Sequence, residues 1–339
     1  MRARLPDRKS RVTVTEVAAA CGVSPATVSR IMRGQTVVAE PTRERVMATV
    51  RALGYVPNRI AGSLASMDTR LIGVVIPSLH NIVFPEVLRG VHAGLEGTGY
   101  QAVISVTDYD PDREEAAVRN LLAWQPAALL LAGFDHTDAT RRMLGQSAAR
   151  VVEMMDLDQI PFDVAVGLSH HRAGVETGRH LIAKGYRRFG YVGHDWHTDL
   201  RAKRRFDGLM QALTEAGLPL VAEARCDGPS SLAEGRRQTA RLRASAPEVD
   251  VAVYSNDDMA VGGVFHCMAA GITLPQDFAI FGFNGLEIGR DLPQPLSTLR
   301  SNRFRIGRDS VGVVMACAKR PSEPQIIDTG FEVFAGETA

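Results

Sequence analysis

Apolar residues in the first fifty positions recur at the spacing of one buried helix face. Val14, Val17, Ala18 and Cys21 fall at i, i+3, i+4 and i+7, which predicts an amphipathic helix. Gly22 serves a turn, Val23 anchors it, and Ser24 is a good N-cap for a second helix with Pro25 at its first position. Val28, Ile31 and Met32 give that helix its apolar face, and Gly34 ends it. A third helix is predicted over 40–53, with Pro41 in its first turn, Val46, Val50 and Leu53 inward, and Gly54 as its stop. Two short helices around a glycine-containing turn, with a third as support, make a helix-turn-helix.

The pattern then changes twice. Pro57 breaks the chain and Asn58 caps a short helix within 58–65 that contains Gly62. So short a helix is marginal alone in water and needs a partner. From Leu71 onward, short apolar runs alternate with amphipathic stretches. Strands are predicted at 71–76, 102–106, 128–132, 151–155, 189–192, 251–254 and 278–283. Helices are predicted at 84–96, 113–124, 173–183, 204–216, 232–244 and 259–270. Such alternation implies parallel sheets with right-handed crossovers, here two doubly wound α/β lobes whose ligands bind beyond the carboxyl ends of the strands.

Charge divides the chain along the same line. Residues 1–70 hold 12 Lys+Arg against 5 Asp+Glu, and the remainder holds 27 against 33. A basic head on an acidic body is the footprint expected when only the head meets nucleic acid. The second helix leaves Pro25, Ala26, Thr27, Ser29, Arg30 and Arg33 on its outer faces. Its small residues permit close approach to a major groove, and its arginines suit phosphate or the O6/N7 edge of guanine.

Other chemistry is excluded. Gly-Lys pairs are absent, as are GxGxxG after the first strand and a GxSxG elbow, so neither nucleotide nor nucleophile motifs of an enzyme are present. Cys21, Cys226, Cys267 and Cys317 are too scattered for a zinc site or disulfide framework, as suits a reducing cytoplasm. His194-Asp195-Trp196-His197-Thr198-Asp199 lacks HExxH order and reads as a polar ligand loop after a strand. His170-His171 is expected at the start of a surface helix. The N-terminus lacks a signal peptide's apolar core, and no run reaches the roughly 18 residues of a membrane span. A cytoplasmic protein without cofactor, membrane contact or metal is expected, nucleoid-associated through its DNA binding.

Residues 14–30, VTEVAAACGVSPATVSR, followed by TRERV and LGYVPNR, resemble the LacI/GalR repressor family. The likeness continues through LIGVVIPSLHN, HLIAKGYRRFGYVG, YSNDDMAVGG and FAIFGFNG, and so covers nearly the whole chain. Within the family, PSLHNIVFPEVLRG, ALLLAGFDHT, EMMD…FDVAVG and SNDDMAVGGVFHC are most similar to gluconate-utilisation repressors. The resemblance implies a lambda-repressor-like helix-turn-helix (1–57), a hinge helix and linker (58–69), and a periplasmic-binding-protein-like effector and dimerisation domain (70–339). It implies a homodimer on palindromic operator DNA, and residues 334–339 carry no leucine heptads, so a dimer rather than a coiled-coil tetramer is expected.

Position by position, the resemblance places Pro25 and Ala26 where base specificity is set, with Thr27, Ser29 and Arg30 beside them. Ser24, Arg33, Asn58 and Arg59 complete the expected DNA-contacting set. Leu64 falls on the hinge leucine that wedges into the minor groove, where an apolar side chain kinks the duplex. Gly62 with Ser63 departs from the family's usual hinge, and Ala39 replaces the usual Ser cap of the third helix. Arg205, three residues before Gly208, matches the arginine that grips the effector; Asn256 and Asn284 match two more cleft positions. Ser78, Asn81 and Phe84, in the loop after the first strand, are expected to face the same cleft. Asn284 stands where many sugar-responsive members carry Asp, and a neutral amide opposite Arg205 tolerates a carboxylate better. The expected effector is therefore a sugar acid such as gluconate, the alternatives being a neutral sugar, a sugar phosphate or a purine corepressor.

Overall fold

The computed structural model describes residues 12–32, 38–57, 69–79, 82–197, 199–317 and 319–339. The chain divides into two units, residues 1–69 and 70–339.

In the first unit, helices α1 (Val14–Cys21), α2 (Pro25–Met32) and α3 (Glu40–Leu53) enclose a core that includes Val17, Cys21, Val28, Ile31, Val46 and Val50. Thr13 and Glu16 close a capping box: Thr13 Oγ1 accepts from the Glu16 N–H at 3.3 Å, and Glu16 Oε2 accepts from the Thr13 N–H at 2.7 Å. Two of the first turn's unpaired N–H groups are thereby satisfied. Ser24 Oγ accepts from the Thr27 N–H at 3.2 Å and starts α2. Gly22 and Gly54 stop α1 and α3 in left-handed backbone, at φ 64° and 61°. Gly34 and the hinge, 58–68, lie outside the described residues.

The second unit has two lobes. The N-lobe sheet runs in the order β11-β5-β4-β3-β1-β2, all parallel, from β1 (Leu71–Ile76), β2 (Gln101–Val106), β3 (Ala128–Ala132), β4 (Arg150–Met154), β5 (Val164–Gly167) and β11 (Gln325–Asp328). Its helices are α4 (Val83–Leu95), α5 (Pro111–Leu122), α6 (Asp138–Gln146) and α12 (Arg303–Ala316). The C-lobe sheet runs β12-β10-β9-β8-β6-β7, from β6 (Phe189–Gly193), β7 (Leu220–Arg225), β8 (Val251–Tyr254), β9 (Ala279–Asn284), β10 (Ser297–Ser301) and β12 (Phe331–Phe334). Only β12 is antiparallel. Helices α7 (His170–Ala183), α8 (Leu200–Glu215), α9 (Leu232–Ser245), α10 (Asp257–Ala270) and the short α11 (Glu287–Arg290) complete it. The chain passes between lobes three times, at 168–169, 302 and 329–330.

The central strands β3, β4, β5, β8 and β9 are buried along almost their whole length because helices cover both faces, which is why they are largely apolar, β4 apart, where Arg150 and Glu153 are buried too. Three helix pairs cross at glycines, and one of them positions the cleft. A Cβ on Gly174 of α7 would lie 1.9 Å from the Arg205 carbonyl of α8, and one on Gly208 would lie 2.0 Å from the His171 carbonyl. The backbone turn that carries Arg205 is thus pressed directly against α7.

The predicted strands and helices match to within four residues at each end: 151–155 begins at Arg150 and 278–283 at Ala279, while 204–216 begins four residues earlier, at Leu200. Strands β5, β7, β10, β11 and β12 and helices α6, α11 and α12 are additions. The four-residue strands are too short for periodicity to register, and β7 and β11 are half-exposed edges.

Candidate nucleic-acid interface and ligand cleft

Helix α2 projects the expected side chains from a buried base. Val28 and Ile31 are anchored in the core, so Ser24, Pro25, Ala26 and Arg30 emerge fully exposed, with Thr27 and Ser29 partly so. Arg33, Asn58, Arg59 and Leu64 lie outside the described residues.

The ligand cleft forms where the carboxyl ends of the two sheets face each other. A pocket is lined from the N-lobe side by Val83, Phe84, Met155 and Leu168, and from the C-lobe by Asp199, Arg201, Arg205, Asn256, Phe283 and Asn284, with His170 and Ser301 at two of the crossings. It adjoins a second pocket that shares Asp199 and Arg201. Of the expected effector residues, Phe84, Arg205, Asn256 and Asn284 come together here. Ser78 is buried just beyond β1 and is not among the lining, and Asn81 lies outside the described residues.

Arg205 is held on three sides. Its guanidinium stacks 3.9 Å from the Phe283 ring centroid, Nη2 donates to the Ser255 carbonyl at 2.8 Å, and Nη1 donates to His170 Nδ1 at 2.9 Å. His170 Nε2 donates in turn to the Met155 carbonyl at 2.8 Å. A carbonyl only accepts, so Nε2 carries the proton and Nδ1 is free to accept from arginine. Burial first, then the neighbouring Arg205 and Arg201, push the His170 pKa well below its ordinary value, so the imidazole is neutral. The expectation that His170 begins a surface helix is therefore corrected. It does begin α7, but the opposing lobe encloses its side chain.

Asp199, the last residue of the polar loop expected to meet ligand, and Arg201, one of the cations beside Arg205, both line the cleft. Asp199 caps α8, accepting from the Ala202 N–H at 3.2 Å, and stands 3.5 Å from His194 Nε2 and 3.6 Å from Arg201 Nε. Burial works against its charge, but His194, Arg201 and Arg205 outweigh burial and hold its pKa well below the carboxylate range. The available signal was an Asp at helix-capping distance after a strand end. Arg201 lies 5.5 Å from the Phe84 ring, and its buried Nη1 has no hydrogen-bond partner among the described residues. The lining thus holds two arginines against one carboxylate and a neutral histidine. Cations nearby are committed: Arg204 reaches across to Asp135, at 2.9 Å, and Asp156, while Lys203 pairs with Asp207 at 2.6 Å.

Asn256 caps α10, its Oδ1 accepting from the Met259 N–H at 3.1 Å, while the same side chain borders the cavity. Phe84 is likewise both core and lining. Asn284 adopts φ 123° and Met155 φ 78°, left-handed backbone that is strained for non-glycine residues and concentrates at functional sites. Among the described residues no group of three or more His, Cys, Asp or Glu is placed to hold a metal ion, and no helix is long and apolar enough to cross a membrane.

Known proteins share this arrangement. Residues 13–58 match the bacterial regulatory proteins, lacI family, and residues 69–326 match the periplasmic binding proteins and sugar binding domain of LacI family. The chain is 39% identical to the HTH-type transcriptional regulator GntR of Pseudomonas aeruginosa, across 97% of this chain and 96% of the relative. It is 33% identical to the GntR of Escherichia coli K12, across 97% and 99%. Among solved structures, a LacI-family transcriptional regulator from Silicibacter pomeroyi superimposes with a TM-score of 0.89 at 39% identity, covering 96% of this chain and 99% of that one. The lac repressor dimer bound to operator and the anti-inducer ONPF superimposes with a TM-score of 0.85 at 25% identity, covering 97% and 99%.

Proposed function

This chain belongs to the lacI family of bacterial regulatory proteins, and from that premise we propose that it is a cytoplasmic repressor released from its operator by a small sugar acid, gluconate first. Two chains present two α2 helices to a palindromic operator. Ser24, Pro25, Ala26, Thr27, Ser29, Arg30 and Arg33 meet the major groove, Asn58 and Arg59 meet the backbone, and Leu64 wedges the minor groove at the centre. The division of labour is a reader at 1–57, a hinge at 58–69 and an effector and dimerisation domain at 70–339.

The observation that carries the sugar-acid reading is the charge inventory of the cleft. Arg201 and Arg205 face one carboxylate of the lining, Asp199, and the buried Arg201 Nη1 lacks a hydrogen-bond partner among the described residues. A buried guanidinium N–H without an acceptor is costly, and a ligand carboxylate would satisfy it with a charge-assisted hydrogen bond. A neutral sugar would offer that N–H only an uncharged hydroxyl acceptor, a weaker bond than a carboxylate makes. A phosphate dianion would call for further cations, yet Lys203 and Arg204 are bound to Asp207, Asp135 and Asp156.

A thermal-melt titration with gluconate, 6-phosphogluconate, gluconolactone, a neutral hexose and guanine tests this. At about 100 times Kd a ligand adds near 2.7 kcal/mol to stability. Stabilisation by gluconate, lost in Arg205→Ala and Arg201→Met, is expected. Stabilisation by the neutral hexose or guanine alone would refute the sugar-acid effector.

A further inference from the structure

His170 opens α7 at the first crossing between the lobes, and each of its ring nitrogens is spent on a different lobe. Nε2 donates to the Met155 carbonyl, just past N-lobe strand β4, and Nδ1 accepts from Arg205 of C-lobe helix α8. The ring also lies beside Phe283, with centroids 5.8 Å apart, so that His170 and Arg205 share one aromatic support. The N-lobe end of this chain of contacts is rigid. Met155 is held at φ 78°, and a Cβ on the adjoining Gly167 would come within 2.7 Å of the Met155 carbonyl carbon. Arginine side chains are long and rotamer-rich, and without the imidazole Arg205 would keep only the Ser255 carbonyl and the Phe283 face.

We propose that His170 is a positioning residue of the effector site, holding the Arg205 guanidinium in its binding pose and tying it to the N-lobe backbone at Met155. An effector that grips Arg205 then acts on both lobes through one imidazole. This rests on the reading of Arg205 as an effector contact. The charged groups around the ring are Arg205, Arg201 and Asp199, all from α8 and its cap, while the N-lobe contributes the Met155 carbonyl dipole.

The test uses the full-length protein and two replacements. His170→Phe keeps an aromatic ring but loses both hydrogen bonds; His170→Gln keeps one donor and one acceptor. Loss of a hydrogen bond to a charged group weakens binding by roughly 10-fold or more. Gluconate affinity by calorimetry should fall about that much in His170→Phe and be substantially restored in His170→Gln. The second measurement follows imidazole nitrogen resonances, with His170 assigned from the variants. In the unmodified protein the ring should remain the neutral Nε2–H form at neutral pH, whereas in Arg205→Ala its pKa should rise toward the ordinary histidine value. The titration reports that the imidazole and the guanidinium are in contact, and the affinity difference between His170→Phe and His170→Gln reports that the contact positions Arg205.

Undiminished gluconate affinity in His170→Phe, or a His170 titration indifferent to Arg205→Ala, would overturn the proposal. If no form of the protein binds gluconate, the effector reading fails, and the titration still decides whether His170 fixes Arg205. Should His170→Phe fail to fold, the nitrogen resonances and His170→Gln carry the decision.

Discussion

Two buried histidines of this chain resolve the conflict between burial and charge in opposite directions. His170, facing arginines, gives up its proton. His136 lies beyond β3 between Glu114 of α5, 2.6 Å away, and Glu153 of β4, 3.6 Å away. Burial alone would lower its pKa, but the two carboxylates outweigh burial and raise it to about 9. A histidine stabilised in its charged form adds stability that is complete below its unfolded value, near 6.5, and is lost as pH rises through about 9. The shift corresponds to up to about 3 kcal/mol. The urea midpoint should therefore fall between pH 7 and 9.5, and His136→Gln should flatten that slope; an equal slope in both proteins would remove His136 as its cause. Arg205, Asn256, Asn284 and Phe84 were legible beforehand because family motifs mark their positions. The burial of His170 and Arg201 was not, because a polar residue in the first turn of a helix normally faces solvent. Only the approach of the second lobe encloses them, and local pattern carries no record of that approach.

At the scale of elements, the three described helices of the first unit were read in place, since caps and 3.6-residue periodicity act within a few positions, although Leu53, expected inward, is exposed. Its one weak joint was also visible: Ala39 occupies the N-cap of α3 in extended backbone, φ −54° and ψ 137°, with no side-chain hydrogen bond. Ala39→Ser should add about 1 kcal/mol, raising hydrogen-exchange protection of the α3 amides about fivefold where they exchange by unfolding of that helix. Unchanged protection would mean that Ser cannot reach the first-turn N–H groups. The second unit was less legible at its margins. Strands buried on both faces announce themselves as apolar runs, whereas β10 reads Ser297-Thr298-Leu299-Arg300-Ser301 and is buried by tertiary context, with Thr298 donating to Asp257 at 2.7 Å. Helix α12 likewise interleaves buried Arg303 and Ser310 with its apolar face, which weakens the helical signal.

For the molecule as a whole, charge separates reader from sensor: a net-positive first seventy residues precede a net-negative remainder. The sensor concentrates its functional groups where the two sheets meet and where the chain crosses between lobes. Arg204 with Asp135 and Asp156, Arg303 with Glu86 and the Asn284 carbonyl, and His170 with Met155 and Arg205 all join groups from both lobes. An effector that binds one arrangement of these contacts better than another shifts the population between arrangements, and linkage requires a reciprocal change in operator affinity. The full-length protein can be allowed to select its own duplex from a random pool, after which affinity for that duplex is measured by fluorescence anisotropy with and without saturating gluconate. At least a tenfold loss of affinity with gluconate, absent in Arg205→Ala, is expected, a coupling of about 1.4 kcal/mol or more. Unchanged or tightened operator binding would contradict release by a sugar acid.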